Sequence, residues 1–408
     1  MSRILFITSK PYYPWEGACH RIRHNLEALV TLDHIVDLLT VPVGQAPQVP
    51  GVNIFFVPRI PFCSSLPEGP SVRRFILDTL MLFKAVYLAG RTPYTLIHGI
   101  DDCGVIAWLA GRLTHTPCVF ERHVGLSHEH VKGPRRLWLG IYRFLERRAL
   151  KKADAVIGND TSVIGLLARL GRRSRACVIP DIPAITEEPS GPSRNLAQAR
   201  FRTSPGQKLV TCVGSYTRFQ GLDLFFNALP QVLAKAPQTR FVVVGGDAAE
   251  ILRMRKALAR ADIGPAVAFP GRMQPSELAA LLAVSDVLVS PRRAGVTAPI
   301  KVLDYLHSGT PIAAANTPAN RAVLSPENAL ITRPTPEALA DGILKLCNAP
   351  ALGAELSLHG RATLTHENRT PEAFCNALRR CYTYVLTTPL ARKTEIRTLK
   401  DDSSARAR

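Results

Sequence analysis

Short, uninterrupted apolar runs recur along the chain, each followed by a turn-rich stretch and then by a helical period. "RILFIT" (3–8) opens the first half in this way, and "KLVTCVG" (208–214) opens the second. Continuous apolar runs bounded by turn residues mark strands buried on both faces of a parallel sheet. The first half continues with "DHIVDLLTV", "VNIFFV", "TLIHGI", "PCVFER", "ADAVIGND" and "ACVIP"; the second continues with "TRFVVVGG", "AVAFPG", "SDVLVSP" and "TPIAAA". Helical patterning lies between most of them, at 20–30, 72–90, 103–113, 135–152, 222–234, 248–260, 275–283 and 299–307. Strand–helix alternation implies parallel α/β sheets with right-handed crossovers. Two halves that begin alike imply two Rossmann-like, doubly wound domains facing one another across a cleft.

The pattern sets expected boundaries. Residues 1–185 form an N-terminal domain, and 208–370 a C-terminal domain. Residues 186–207 end a stretch rich in Pro, Ser and charge and read as a linker. A C-terminal helix is expected over 371–390, with a return to the N-terminal domain left open, and 391–408 reads as a disordered tail.

Composition narrows the class. With 408 residues, 46% apolar and 20% charged, the chain is an ordinary core-forming protein. Its formal charge of +19 points to an anionic partner: nucleotide phosphates, lipid headgroups or nucleic acid. Nucleic acid rests on charge alone, because no basic–aromatic module accompanies it. The nine cysteines are scattered, with no C-x-x-C pair, which reads as reduced thiols in a cytoplasmic protein rather than a disulfide framework or a zinc site. The first residues hold only a five-residue apolar run, a strand and not a signal peptide. No apolar run is long enough to span a bilayer. Walker A and G-x-G-x-x-G motifs are both missing, so ATP hydrolysis and dinucleotide redox lack sequence support.

Chemistry gathers where strands end, the place where open α/β sheets bind ligands. "SDVLVSP" runs into "RRAGVTAPIKVLDYLHSGTPI". Thr297 is a plausible N-cap, Pro299 suits a first helical turn, and Gly309 stops the helix. The helix N-terminus offers unpaired N–H groups and partial positive charge. Gly295 allows close backbone approach, and Arg292, Arg293 and Lys301 add cations. Asp304, one turn inside, could accept from a vicinal diol such as a ribose. The alternative is that Lys301 and Asp304 form a surface i,i+3 pair. In "CVGSYTRFQGLDLFFNAL" (212–229), Gly214 closes a strand, and Ser215, Arg218 and Gln220 could bond phosphate oxygens; an ordinary βα loop is the alternative. In the first half, Gly17 and Ala18 are small enough for close ligand approach, while Tyr12, Tyr13 and Trp15 supply stacking surface or rim packing. "VFERHVG" (119–125) places Glu121, Arg122 and His123 at a strand end on the acceptor side.

Taken together, "VG…Q-G-L-D-L…A", "FVVVGG", "V-x-F-x-G-R" and "SDVLVSPR…G…P-x-K-V-L-D-Y-L-x-S-G-x-P-I" resemble the GT-B nucleotide-sugar glycosyltransferases of group 1, or family 4. "LERRALKKADAVIGND" and "VIPDIP" resemble the end of that family's N-terminal domain, so the resemblance spans roughly 3–385 and is strongest over 208–345. It implies a nucleotide-diphosphate sugar, UDP- or GDP-linked, as donor, no metal or other cofactor, and transfer with retention. It places Asp304 at the second acid of the family's Glu-x7-Glu motif, which binds ribose, and Val296 at the first. Ser215 and Gln220 stand where the Arg and Lys of the phosphate clamp are usual, so Arg218, Arg292, Arg293 and Lys301 are the candidates to replace that charge. Gly271, Arg272, Thr297 and Ala298 complete the implied donor side. His123 matches the N-domain His near the sugar, and the implied catalytic set is His123, Arg292 and Lys301.

Charge also concentrates at 130–152, where Arg136, Arg143, Arg147 and Lys151 share one helical face and Leu137, Ile141, Phe144 and Leu145 another. With the apolar, basic-ended segment 71–90, this reads as a surface for an anionic membrane; core-packed helices with solvated charges are the alternative. The function expected is retaining, metal-independent sugar transfer to a saccharide or lipid-linked saccharide, in exopolysaccharide or glycoconjugate synthesis at the inner membrane face. The alternatives are a non-catalytic nucleotide-sugar-binding subunit and a GT-B epimerase or hydrolase.

Overall fold

The computed structural model describes residues 2–13, 17–45, 47, 49–58, 69, 71–123, 135–172, 175–202, 204, 206–260, 263–295 and 298–387. Two compact units emerge, 1–181 with 371–408, and 182–370.

The first unit alternates strands and helices: β1 (Arg3–Ile7), α1 (Gly17–Thr31), β2 (Ile35–Thr40), β3 (Val52–Phe56), α2 (Val72–Arg91), β4 (Leu96–Ile100), α3 (Cys103–Thr114), β5 (Cys118–Arg122), α4 (Arg135–Lys152), β6 (Ala155–Gly158), α5 (Ser162–Arg169) and β7 (Ala176–Val178). All seven strands are parallel, in the order β3-β2-β1-β4-β5-β6-β7. Ile4 pairs with both Val36 and Leu96, so the order reverses between β1 and β4. Side chains alternate across the sheet. Leu5 and Ile7 join Leu77, Met81 and Ala85 of α2 and Ala107 of α3 in one core.

The second unit contains α6 (Gly191–Phe201), β8 (Leu209–Val213), α7 (Leu222–Lys235), β9 (Arg240–Val244), α8 (Ala248–Arg260), β10 (Val267–Gly271), α9 (Pro275–Val284), β11 (Val287–Ser290), α10 (Ile300–Ser308), β12 (Ile312–Ala315), α11 (Pro318–Arg321), β13 (Leu330–Thr332), α12 (Pro336–Asn348) and α13 (Pro350–His366). Its six parallel strands run β10-β9-β8-β11-β12-β13 and reverse order between β8 and β11. Val210, Cys212, Phe241 and Val243 pack under Phe225, Leu229 and Val232 of α7. The chain then forms α14 (Pro371–Thr387), which belongs to the first unit.

Three expectations need correcting. The 186–207 stretch is no open linker: α6 occupies its centre, capped by Ser190 with Pro192 in its first turn, and Phe201 packs with Leu209, Val242 and Leu281. The unit boundary falls after Asp181 rather than at 185. The helix after β11 starts at Ile300, with Pro299 in extended backbone at the cap, and ends as expected at left-handed Gly309. The expected tail, 391–408, lies outside the described residues, as do Trp15 and Cys63. The other eight cysteines are buried thiols that form no disulfide among the described residues. Among the described residues no helix is long and apolar enough to cross a membrane.

Candidate functional site

In the second unit, two loops meet at the reversal point of the sheet. The β8–α7 loop holds a single 3-10 turn, Arg218–Gln220, and ends at Gly221. The β11–α10 loop runs from Pro291 to Pro299. Arg293 ties them together: its backbone N–H donates to the Phe219 carbonyl at 2.9 Å, and its guanidinium forks onto both oxygens of Asp223 at 3.1 and 2.7 Å. Gly221 is required here. Its φ is +73°, and a Cβ would lie 2.0 Å from the Pro291 carbonyl oxygen. Arg293, one of the expected donor-side cations, is exposed and ties the two loops together through this fork.

Lys301 is reached from the first turn of α10. Its ammonium donates to the Val213 carbonyl at 2.7 Å and to Gln220 Oε1 at 2.9 Å. One turn along the same helix face, the Tyr305 hydroxyl accepts from the Val213 N–H at 2.8 Å. Lys301 and Tyr305 therefore grip both sides of the last residue of β8. Both acceptors of Lys301 are neutral. Burial pushes its pKa down to about 8, and the nearby Arg292 charge adds to the effect. A side chain at Gly214 would crowd the ammonium, because a Cβ would stand 3.2 Å from Nζ.

Arg292 is the second cation. Its Nε–H donates to the Ala294 carbonyl at 2.8 Å, and its guanidinium carbon lies 5.3 Å from the exposed Phe219 ring centroid. Gly295, at φ +114°, makes room on the other side: a Cβ would come within 2.6 Å of Arg292 Nη2. Gly295→Ala is therefore expected to displace Arg292 and weaken diphosphate binding about tenfold, at a strain cost of about 1–3 kcal/mol. Isothermal titration with a nucleoside diphosphate, beside thermal unfolding, checks both. The N–H groups of α10 and these two cations give a surface suited to a multiply charged anion.

The remaining donor-side residues divide. Ser215 is exposed, its hydroxyl 3.0 Å from that of Thr217, and Arg218 is exposed at the start of the turn. Gly271 ends β10, and its carbonyl accepts from Gly245 at 2.8 Å, joining two strand ends; Arg272 beside it is exposed. Ala298 turns inward against the core. Val296 and Thr297 lie outside the described residues. Asp304, expected to accept from a diol or else to pair with Lys301 at the surface, is not at an open surface. It is 6% exposed, and Oδ1 accepts from the Ile185 N–H at 2.9 Å. Its carboxylate anchors the segment that enters this unit, so removing it disturbs the fold as well as any ligand. Asn320 was not singled out from the sequence. Fully buried, it donates to the Ser290 and Ala315 carbonyls and accepts from the Ser290 hydroxyl, fixing the ends of β11 and β12. A buried Asn after "TP" at a strand end is the signal available for it.

In the first unit, the expected acceptor-side trio is largely internal. Glu121 is 0% exposed. Arg21 Nε lies 2.5 Å from its Oε1, with Asn25 Nδ2 at 2.9 Å and His98 Nε2 at 3.0 Å from its Oε2, and His123 Nε2 at 2.8 Å from its Oε1. Burial alone would raise the Glu121 pKa, but Arg21 and the histidines hold it well below the usual carboxylate range. Arg122 is paired with Glu146 of α4 at 3.0 Å. These are corrections: neither side chain is presented to an acceptor. His123 lies between Glu121 and Asp101, whose Oδ1 accepts from its backbone N–H at 2.8 Å and whose Oδ2 lies 3.7 Å from its Nδ1. Burial opposes its charge, yet the two carboxylates raise its pKa to about 9. At neutral pH the ring is an imidazolium held by acids, unsuited to act as a general base. Lys10, absent from the sequence reading, pairs with Asp101. Gly17 and Ala18 lie in the first turn of α1, not in a loop.

Comparison with known proteins follows the two units. Residues 16–181 match the family described as glycosyl transferase 4-like domain, and residues 207–349 the family described as glycosyl transferases group 1. A GDP-mannose-dependent monoacylated alpha-(1-6)-phosphatidylinositol monomannoside mannosyltransferase of Corynebacterium glutamicum is 24% identical over 239 residues, 54% of this chain. The matched region spans 61% of that relative's length. Among solved structures, sucrose-phosphate synthase of Thermosynechococcus elongatus superposes with a TM-score of 0.73 at 21% identity, covering 94% of this chain and 98% of the other. HepE of Anabaena, solved with UDP-glucose, gives 0.71 at 17%, covering 93% and 99%.

Proposed function

Because the chain belongs to the group 1 glycosyltransferases, we propose that it transfers a sugar from a nucleoside-diphosphate sugar to a saccharide or lipid-linked saccharide, with retention and without a metal. In this reading the product is a surface polysaccharide or glycoconjugate made at the inner face of a membrane. The observation that carries the proposal is the pair Lys301 and Arg292, two partly buried cations whose protein acceptors are all neutral. A buried charge without a counter-ion is costly unless a ligand supplies one. The C. glutamicum relative is named for GDP-mannose and HepE is solved with UDP-glucose, which supports a nucleotide-sugar donor.

The charge lost at Ser215 and Gln220 is the feature that would favour a non-catalytic binding subunit. Lys301 answers it, because its ammonium rests on Gln220 itself and brings a cation to that loop from α10. As the bond from the sugar to the diphosphate breaks, negative charge grows on the leaving oxygen, and Lys301 and Arg292 stabilise it there. In this reading the acceptor hydroxyl attacks from the leaving-group face and hands its proton to the departing phosphate oxygen.

A thermal-shift panel tests the reading. Nucleoside diphosphates and their sugars are expected to raise the melting temperature more than monophosphates do; a ligand at a hundredfold excess over its Kd stabilises the fold by about 2.7 kcal/mol. The base that shifts it identifies the donor class. Absence of a shift with every uridine, guanosine and adenosine diphosphate would defeat the proposal; a shift without acceptor-dependent release of diphosphate would leave a binding subunit.

A further inference from the structure

The first unit carries an apolar surface that its fold leaves uncovered. Leu77, Met81, Ala85 and Leu88 take α2 into the core. On its other side Val72, Phe75, Ile76, Phe83 and Tyr87 are exposed, Phe83 at 70%. Positions 72, 76, 83 and 87 recur at helical spacing, so they form one stripe. Helix α4 continues the surface. Its packed residues are Leu139, Tyr142, Ala149 and Leu150, while Leu137 and Phe144 are exposed at 70% and 59%. The Phe75 and Trp138 rings lie 5.2 Å apart, and the Tyr142 hydroxyl donates to Asp78, so the two helices present a joined face. Scattered exposed apolar residues are ordinary, but seven on two touching helices are not.

The exposed charges on the same helices are of one sign. Arg136, Arg143, Arg147 and Arg148 are exposed on α4, and Arg73 and Arg91 on α2. Lys151, counted in the basic face from the sequence, is half-buried. The acids of these helices are turned to internal partners, Asp78 to Arg74 and Tyr142, and Glu146 to Arg122. The cations also sit over the aromatics: Arg91 lies 4.5 Å from the Tyr87 ring and Arg148 lies 5.2 Å from Phe144.

We infer that α2 is an insertion element: its Val72–Tyr87 stripe enters the headgroup–acyl boundary of an anionic bilayer while the arginines of α4 bind the headgroups. Apolar area buried at the interface and cation–headgroup attraction act together in such a surface. Water-soluble acidic proteins would satisfy the arginines but would not need a stripe of this length. The inference rests on the lipid-linked acceptor of the proposed function for its use, and it stands or falls on binding alone.

The test uses the full chain with vesicles of phosphatidylcholine, with and without phosphatidylglycerol. Sedimentation is expected to show association with the anionic vesicles, a fraction of which resists high salt. The double variant Phe83→Ser, Tyr87→Ser should bind about tenfold more weakly and lose the salt-resistant fraction. The variant Arg143→Glu, Arg147→Glu should lose the salt-sensitive part. Brominated lipid should quench the fluorescence of Trp138, with Trp138→Phe as the control. Parent-like binding by the α2 variant, association released wholly by salt, or no bromine quenching would overturn the insertion. Donor-induced thermal shifts, measured on the same variants, are expected to match the parent; their absence in the parent would count against the proposed transferase and not against this surface.

Discussion

Replacing Lys301 with methionine is expected to cut donor turnover about 10²–10³-fold, the range typical of losing one preorganised group at a developing oxyanion. Affinity for a nucleoside monophosphate should fall much less, because the ammonium acts where the diphosphate leaves. Stability should not fall. Burial holds the folded-state pKa near 8, below that of a free lysine, so the charged form opposes folding at neutral pH. Methionine fills similar volume and removes that cost. The same displacement predicts the pH dependence: diphosphate affinity of the parent should decline as pH rises through about 8, where the ammonium loses its proton. Lys301→Met should show no such decline. Calorimetry across that range, with single-turnover rates, distinguishes the outcomes. A variant that is merely less stable, with turnover intact, would make Lys301 a structural grip on β8.

Arg21→Met is expected to destabilise the first unit by about 3 kcal/mol, the low end for breaking a buried ion pair, because His123 stays beside Glu121. Glu121 has no access to water, and Arg21 Nε is 2.5 Å away. The same guanidinium donates to the Ile179 and Pro180 carbonyls at 2.9 and 3.1 Å, so the end of β7 loosens as well. Adding Glu121→Gln should recover part of the loss, because the uncompensated charge goes with it. Denaturant melts followed by Trp fluorescence, with the ligand-induced shift of the second unit as an internal control, measure this. Additive losses in the double variant would mean that the pair does not interact as described.

The strands were legible because the central strands are buried on both faces, which leaves apolar runs in β1 (Ile4–Ile7), β9 (Phe241–Val244) and β11 (Val287–Val289), with β4 and β8 interrupted by His98 and Thr211. The three-residue β13 offers no such run. Helix α6 was hidden by composition: "SGPS" reads as linker, yet a Ser cap followed by Pro is also how a helix begins. The convergence of the loops that carry Lys301, Gln220 and Arg292 was legible, since loops after parallel strands meet at the order reversal. Their partners were not. Arg293 is answered by Asp223, seventy positions earlier, and Asp304 by a backbone N–H at Ile185. A charge beside a strand end looks the same in sequence whether it faces solvent or a buried counter-charge. Glu121 and Arg122 were misplaced for this reason. Helix α4 carries apolar residues on more than one face, so its period could not say that Leu139 and Tyr142 pack while Leu137 and Phe144 do not.

The first unit is assembled from both ends of the chain, and this orders events during synthesis. His98 is buried against the Tyr382 hydroxyl at 2.7 Å, and Arg21 stacks 4.5 Å from the Phe374 ring. Both partners belong to α14, which follows the whole second unit in the chain. The second unit, continuous in sequence, can close as soon as its own strands emerge. The first must wait with a core histidine and the face of α1 uncovered until α14 has also been made. A stop that removes α14 therefore damages the domain that was made first.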